Sequence, residues 1–198
     1  MSVLPVYLLG TKTLKKKAKP VESLDDSVVK LIYDMFETMH KANGIGLAAV
    51  QVGDLRRVVT IDISTVDEPN AEGEMEDDMH PTSANLPRTL TLINPEVLHE
   101  EGAWVVKEGC LSIPGVHGDV GRAEKMRVRF RDAEFKVQEL VMDGLLARVA
   151  LHEIDHLDGV LFVDRMKRTK RSMLLSKLRT IQKGDVKTDY SVIGKAEE

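Results

Sequence analysis

Residues 143–158 read DGLLARVALHEIDHLD, and the reading of the whole chain works outward from them. Leu145, Leu146 and Val149, with His152 or Ala150, recur at helical spacing and predict a helix over 143–158 with one apolar side. Inside it stands His152-Glu153-Ile154-Asp155-His156. Residues four apart lie one above the other on a helix, so the two imidazoles can bind one cation. Glu153 sits about 100° around the axis by the 3.6-residue repeat. There its side chain can lean over the cation without being a ligand, which suits a base acting on activated water.

A hydrolytic metal site usually has three protein ligands and an open position. One protease pattern, H-E-x-x-H-x-x-G-x-x-H, puts its third histidine where Phe162 stands here, and a phenyl ring cannot ligate. Another takes a glutamate from a later helix, but no glutamate follows before Glu197. The single cysteine, Cys110 in EGCLS (108–112), is the best remaining donor. A lone cysteine is more often a buried apolar residue, and a nucleophilic cysteine with a histidine base is the rival chemistry. The paired helical histidines favour ligation.

Upstream, Val28, Leu31, Ile32, Met35, Phe36 and Met39 predict an amphipathic helix over 23–42, capped by Ser23 or Asp25 and ended by Asn43-Gly44. GIGLAAVQVG (44–53) follows. It matches neither a dinucleotide fingerprint nor a phosphate loop, and by itself reads as a turn packed into the core. Strands are expected over 57–63, 89–94, 102–107, 125–132 and 135–142, the last two as antiparallel neighbours. In the fourth, Met126, Val128 and Phe130 alternate with Arg127, Arg129 and Arg131. Residues 66–88 are acidic and read as an inserted exposed loop. Residues 164–183 read as a basic amphipathic helix, and 184–198 as a flexible polar tail. Helix, several strands, helix, helix is an α+β order. The fold expected is antiparallel sheets packed around a central metal-binding helix, with an N-terminal and a C-terminal helix, in one domain over 1–183.

The 198 residues suit one domain, and 42% hydrophobic content suffices for a core. A net charge of −4 argues against nucleic acid as the primary ligand, since phosphate binding needs a basic footprint. One cysteine permits no internal disulfide and suggests a reducing compartment. No apolar run approaches the length that spans a bilayer, and the N-terminal apolar run precedes its lysines, the reverse of a secretory signal. A cytoplasmic protein without membrane contact is expected.

Three segments, GIGLAAVQ (44–51), EGCLS (108–112) and HEIDH (152–156), stand in the order and spacing of the three motifs of the peptide deformylases, and the chain resembles that family over roughly 1–180. The resemblance implies removal of the formyl group from the N-terminal formylmethionine of nascent polypeptides, with release of formate. It implies that Cys110, His152 and His156 hold one divalent metal, Fe(II) in the cell with Zn(II), Ni(II) or Co(II) able to substitute, and water as fourth ligand and nucleophile. Glu153 would take the proton and pass it to the leaving amine. The Gln51 amide and the Leu111 backbone N–H would stabilise the oxyanion. Gly46 would offer its backbone to an extended peptide, and Ile45, Val106, Gly109, Leu145, Arg148 and Val149 would belong to the substrate pocket. Glu108, paired with Arg122, would hold the cysteine loop, and Asp155 would orient a ligand.

Two positions depart from the family pattern. His117 replaces a common arginine, and Arg148 stands where an apolar residue is usual. The Arg148 guanidinium is expected at the pocket rim, because burying it unpaired would be costly. His40, His80 and His99 match no motif and read as ordinary residues. The basic C-terminal helix resembles one that docks on the ribosome in part of the family. The alternatives are a metallopeptidase of internal bonds with a different third ligand, and a non-catalytic metal-binding module.

Overall fold

The computed structural model describes residues 2–66 and 82–196. A short strand β1 (Val6–Tyr7) leads to helix α1 (Asp26–Lys41). Asp25 caps α1 by accepting from the Val28 N–H at 2.9 Å, and Asn43 leaves it at φ 53°. Its inner face buries Val28, Leu31, Ile32, Met35 and Met39 as the spacing predicts, while Phe36 is half-buried at its edge.

The GIGLAAVQVG segment forms strand β2 (Gly46–Ala48) and one 3₁₀ turn (Ala49–Val52). Then come β3 (Val58–Asp62), β4 (Thr89–Glu101), β5 (Trp104–Glu108), β6 (Gly118–Arg122), β7 (Lys125–Arg131) and β8 (Val137–Asp143). Strands β2-β3-β4-β7-β8 form one sheet in that order, antiparallel throughout. β5 and β6 form a separate hairpin that pairs Glu108 with Gly118 and Trp104 with Arg122. On β7, Met126, Val128 and Phe130 are buried, and Arg127 and Arg129 face out.

β4 runs seven residues beyond its expected end. Its register shifts near Asn94, which takes φ 53° and clasps the Val21 backbone with both side-chain atoms. Strand β6 has no apolar alternation to announce it, because its buried positions are Gly118, Val120 and Arg122.

Helix α2 (Gly144–Leu157) lies against the large sheet, and all fourteen of its residues are buried. The sequence suggested one apolar side. The helix is instead enclosed, and its polar residues must find partners inside. Its first turn is capped from outside: the Thr82 hydroxyl accepts from the Leu146 N–H at 3.0 Å, and the Ser83 N–H donates to Asp143 at 2.8 Å. Most of the expected 66–88 loop, residues 67–81, lies outside the described residues, but its end secures the central helix.

The expected single helix over 164–183 is three short ones: α3 (Phe162–Arg165), α4 (Arg168–Met173) and α5 (Leu175–Gln182). Met166 and Lys167 are extended, with ψ of 150° and 134°. That break lets Phe162, Val163 and Met166 enter a second core with Leu8, Leu14, Ile113 and Val120, while Arg165 turns back to Asp155.

The tail also departs from expectation. Rather than a free end, it folds back as β9 (Val192–Ile193), paired parallel to β1, with Val186 and Val192 packed on the second core. Two residues pairing with a partner near the other end of the chain leave no periodic signal. No helix among the described residues is long and apolar enough to cross a membrane.

Gly159 closes the central helix at φ +74°, and an added Cβ would lie 2.7 Å from the Lys15 carbonyl oxygen, a backbone atom that cannot swing aside. Gly159→Ala is expected to cost about 1–3 kcal/mol from the left-handed backbone, read as a lowered midpoint in urea unfolding.

Candidate metal centre and cleft

The turn after β5 carries Gly109, Cys110 and Leu111, and α2 brings its His152–His156 turn against it. The Cys110 Sγ lies 3.1 Å from His156 Nε2. One ligand atom from each of Cys110, His152 and His156 falls within 4.8 Å of the others. Both histidines are buried and Cys110 is half-buried. Among the described residues this is the cluster that could hold a metal ion.

Glu108 organises the surroundings. Its carboxylate accepts from Arg122 Nε at 2.6 Å and Nη2 at 3.0 Å, from Arg148 Nη1, and meets His152 Nδ1 at 2.8 Å. Burial alone would raise its pKa. The hydrogen bonds from His152 and Arg122 outweigh burial and hold the carboxyl well below the usual carboxylate range. With Nδ1 committed to Glu108, His152 keeps Nε2 for a cation.

Arg122 also donates to Asp155 at 2.7 Å, and Arg165 grips the same carboxylate. Asp155 thus ties α2 to β6 and α3 through two guanidiniums. Burial lowers the proton affinity of His152, but the Cys110 and Glu108 hydrogen bonds reverse this and raise it to about 10. Burial and the charge on His152 hold His156 well below the ordinary imidazole value, as a neutral donor. Glu108 is therefore ionised and sets one negative charge against His152, beside the Cys110 sulfur.

Glu153 is buried. Desolvation pushes its carboxyl up to about 7, against the opposing charges of His152 and Arg122. Its Oε2 has no hydrogen-bond partner among the described residues. A buried acceptor left unpaired is costly unless a ligand uses it. Gly46 faces this group closely: an added Cβ would lie 2.6 Å from Glu153 Oε1 and 2.7 Å from Val149 Cγ1. Only glycine lets β2 pass there.

Gln51 is fixed by its own turn. Its Oε1 accepts from the Ala48 N–H at 2.8 Å, which turns its Nε2 toward Ser112 Oγ at 3.3 Å and Cys110 Sγ at 3.6 Å. The amide therefore presents its donor beside the thiol.

A cleft of about 620 Å³ opens over these groups. It is lined by Ile45, Gly46, Gln51, Val106, Glu108, Gly109, Cys110, Leu111, Leu145, Arg148, Val149, His152 and Glu153. His156, Arg122 and Asp155 stand behind that lining. His117 is on the wall, with its ring packed over Gly109, where an added Cβ would lie 2.8 Å from it.

Arg148 differs from expectation. Its guanidinium does not reach the rim: it is 4% exposed, donates to Glu108, to the Trp104 carbonyl at 2.6 Å and to the Val120 carbonyl at 3.1 Å, and lies over the Trp104 ring. The expected desolvation cost is offset because the hairpin supplies partners, which no local sequence pattern reveals.

Sequence reasoning also missed Ser112, which shares the Gln51 amide, and Arg165. It missed the tail residues 187–190, which line the cleft too. For Ser112 the signal was its place inside EGCLS. For the tail there was none.

An α+β fold with a cysteine and two helical histidines gathered beside a buried glutamate, under a peptide-sized cleft, defines a class of metal-site enzyme. The family described as polypeptide deformylase matches residues 3–172. The peptide deformylase of Salinibacter ruber is 41% identical over 198 residues, covering 99% of this chain and 97% of that one. That of Caldanaerobacter subterraneus is 45% identical over 168 residues, covering 85% and 92%. Among solved structures, a Legionella pneumophila peptide deformylase superposes with a TM-score of 0.76 at 38% identity, covering 93% of this chain and 98% of that one. A Synechococcus elongatus peptide deformylase in complex with actinonin gives 0.75 at 39%, covering 90% and 87%. The chain belongs to the polypeptide deformylase family, a family of metal-dependent enzymes.

Proposed function

We propose that this chain removes the N-formyl group from the formylmethionine that begins a nascent polypeptide, releasing formate, with Cys110, His152 and His156 holding the metal. The observation that carries the reading is the donor set: a thiol and two imidazoles within 4.8 Å, beside a buried glutamate oxygen that has no partner among the described residues. When bound there, a divalent cation supplies Lewis acidity and lowers the pKa of water at neutral pH. One thiolate and two imidazoles suit Fe(II), Zn(II), Ni(II) or Co(II), and Fe(II) is the cellular metal in this proposal.

The remaining work falls to the chain's own residues. Glu153, its proton affinity near neutrality, accepts a proton as water attacks the formyl carbon and returns it to the leaving amine. Gln51 Nε2 and the Leu111 N–H donate to the oxygen that gains charge. Gly46 and Gly109 hold the peptide backbone, while Ile45, Val106, Leu145 and Val149 receive the methionine side chain. Arg148 serves by fixing Glu108, and through it His152. Glu108, Arg122 and Asp155 keep the ligands in place. The proposed setting is the cytoplasm. The basic segment over α4 and α5 is proposed to bring the enzyme to the ribosome.

The test is metal loading and turnover in Cys110→Ala. The variant is expected to lose bound metal and formate release together, and chelation followed by metal return should reproduce both losses and their reversal in the parent protein. Full metal stoichiometry in Cys110→Ala would favour a metallopeptidase with another third ligand.

A further inference from the structure

The C-terminal segment lies beyond residues 3–172, the part matched by the family, yet residues 187–190 line the catalytic cleft. The segment is built in, not draped. β9 pairs with β1, the Val6 N–H donates to Ser191 O at 2.9 Å, and the Leu8 N–H donates to Ile193 O at 2.9 Å. One residue on, the Leu9 N–H donates to Ser112 O at 2.9 Å, so the same N-terminal stretch also holds the cysteine turn. The Tyr190 hydroxyl donates to the Leu111 carbonyl at 2.8 Å, next to Cys110. Burial pushes that phenol up to about 12, so it stays a donor across the neutral range. Thr188 Oγ donates to Tyr190 O at 2.7 Å and stiffens the turn.

Residues alternate along this strap. Val186, Thr188 and Tyr190 are half-buried, and Lys187 and Asp189 are exposed at the mouth of the cleft. On the same lining, β5 adds the exposed Lys107, while its Glu108 is buried. The methionine end of a peptide would occupy the apolar depth near Val149 and Leu145, so its following residues must leave past this mouth.

We propose that residues 187–190 are a substrate strap, tied down by Tyr190, in which Lys187 and Asp189 stand beside the residues that follow the formylmethionine and, by balancing each other's charge, let peptides of either sign pass. The proposal rests on the deformylase reading above. Opposite charges two residues apart give the parent strap no net sign, so exchanging one charge should expose a preference. Lys187→Glu leaves two acids on the strap and should favour basic peptides. Asp189→Lys leaves two bases and should favour acidic ones.

The experiment compares kcat/KM at low ionic strength for formyl-Met-Ala-Asp and formyl-Met-Ala-Lys, and for the pair with the charge at the second residue, in the parent enzyme and both variants. The Lys/Asp substrate ratio should rise about threefold in Lys187→Glu and fall about threefold in Asp189→Lys, the size of an exposed charge contact. Both shifts should collapse in 1 M salt, which a structural defect would not mimic. Hydrogen exchange supplies a second readout: amides of 187–190 should slow when the product peptide Met-Ala-Asp is added. Ratios unmoved within twofold in both variants, or strap exchange indifferent to peptide, would overturn the strap. If the parent enzyme turns over the peptides while the variant ratios stay put, the strap alone falls. If the parent releases no formate from any of them, the functional reading falls with it.

Discussion

Replacing Glu108 by alanine is expected to remove about 3–5 kcal/mol of stability, the usual result of taking one partner from a buried ionic cluster. Domains of this size have about 5–15 kcal/mol in total, so the variant should be marginally folded at best. Three side chains converge on this carboxylate: the Arg122 and Arg148 guanidiniums and the His152 imidazole. Removing it strands the Arg148 guanidinium, which among the described residues keeps two backbone carbonyls but no anion. Among the described residues, Arg122 then retains only Asp155 as its counter-charge.

The pH dependence has a defined sign. The folded protein holds the Glu108 carboxyl well below its ordinary range. Its stabilisation is therefore complete above about pH 4 to 5, where the unfolded carboxyl is also ionised, and is lost as pH falls. Urea unfolding between pH 3 and 7 should show Glu108→Gln with a lower midpoint at neutrality and a shallower decline into acid than the parent. Parallel curves would mean that the cluster contributes nothing to folding.

The second large effect is catalytic. Glu153→Ala should lower kcat by about 10²–10⁴, the range of a general acid-base contribution, with metal content unchanged. The residue is not among the clustered donors, and its loss opens space beside Gly46 without exposing a charge. Formate release undiminished in the metal-loaded variant would remove Glu153 from the chemistry.

Much of this site is legible in the chain because its chemistry is local. HEIDH places two imidazoles and a carboxylate by helical geometry alone; Gln51 has a role only through the motif resemblance, and the structure adds the turn that orients its amide. Phe162 excludes the commonest protease pattern from sequence, and the structure gives it a second role, stacked on the His152 ring at 6.2 Å between centroids. What stays hidden depends on long-range partners. Arg148 looks like a rim residue until the β5–β6 hairpin brings Glu108, Trp104 and Val120 to it. The break at Met166 is invisible in a basic amphipathic run, because it is set by a core that forms only when β6 and the N-terminal segment close over α3. The tail shows no strand signal, since β9 is two residues long and its partner is β1. The α+β class could be read from element order; the enclosure of α2 on every side could not.

The central claim is that the Cys110–His152–His156 cluster deformylates peptides. The most direct measurement is formate release from formyl-Met-Ala-Ser by anaerobically purified protein, with metal quantified on the same sample. One formate per peptide consumed, at a rate proportional to bound metal and with the Met-Ala bond intact, is the predicted result. Fully metal-loaded protein that releases no formate, or that cuts the Met-Ala bond instead, would contradict it.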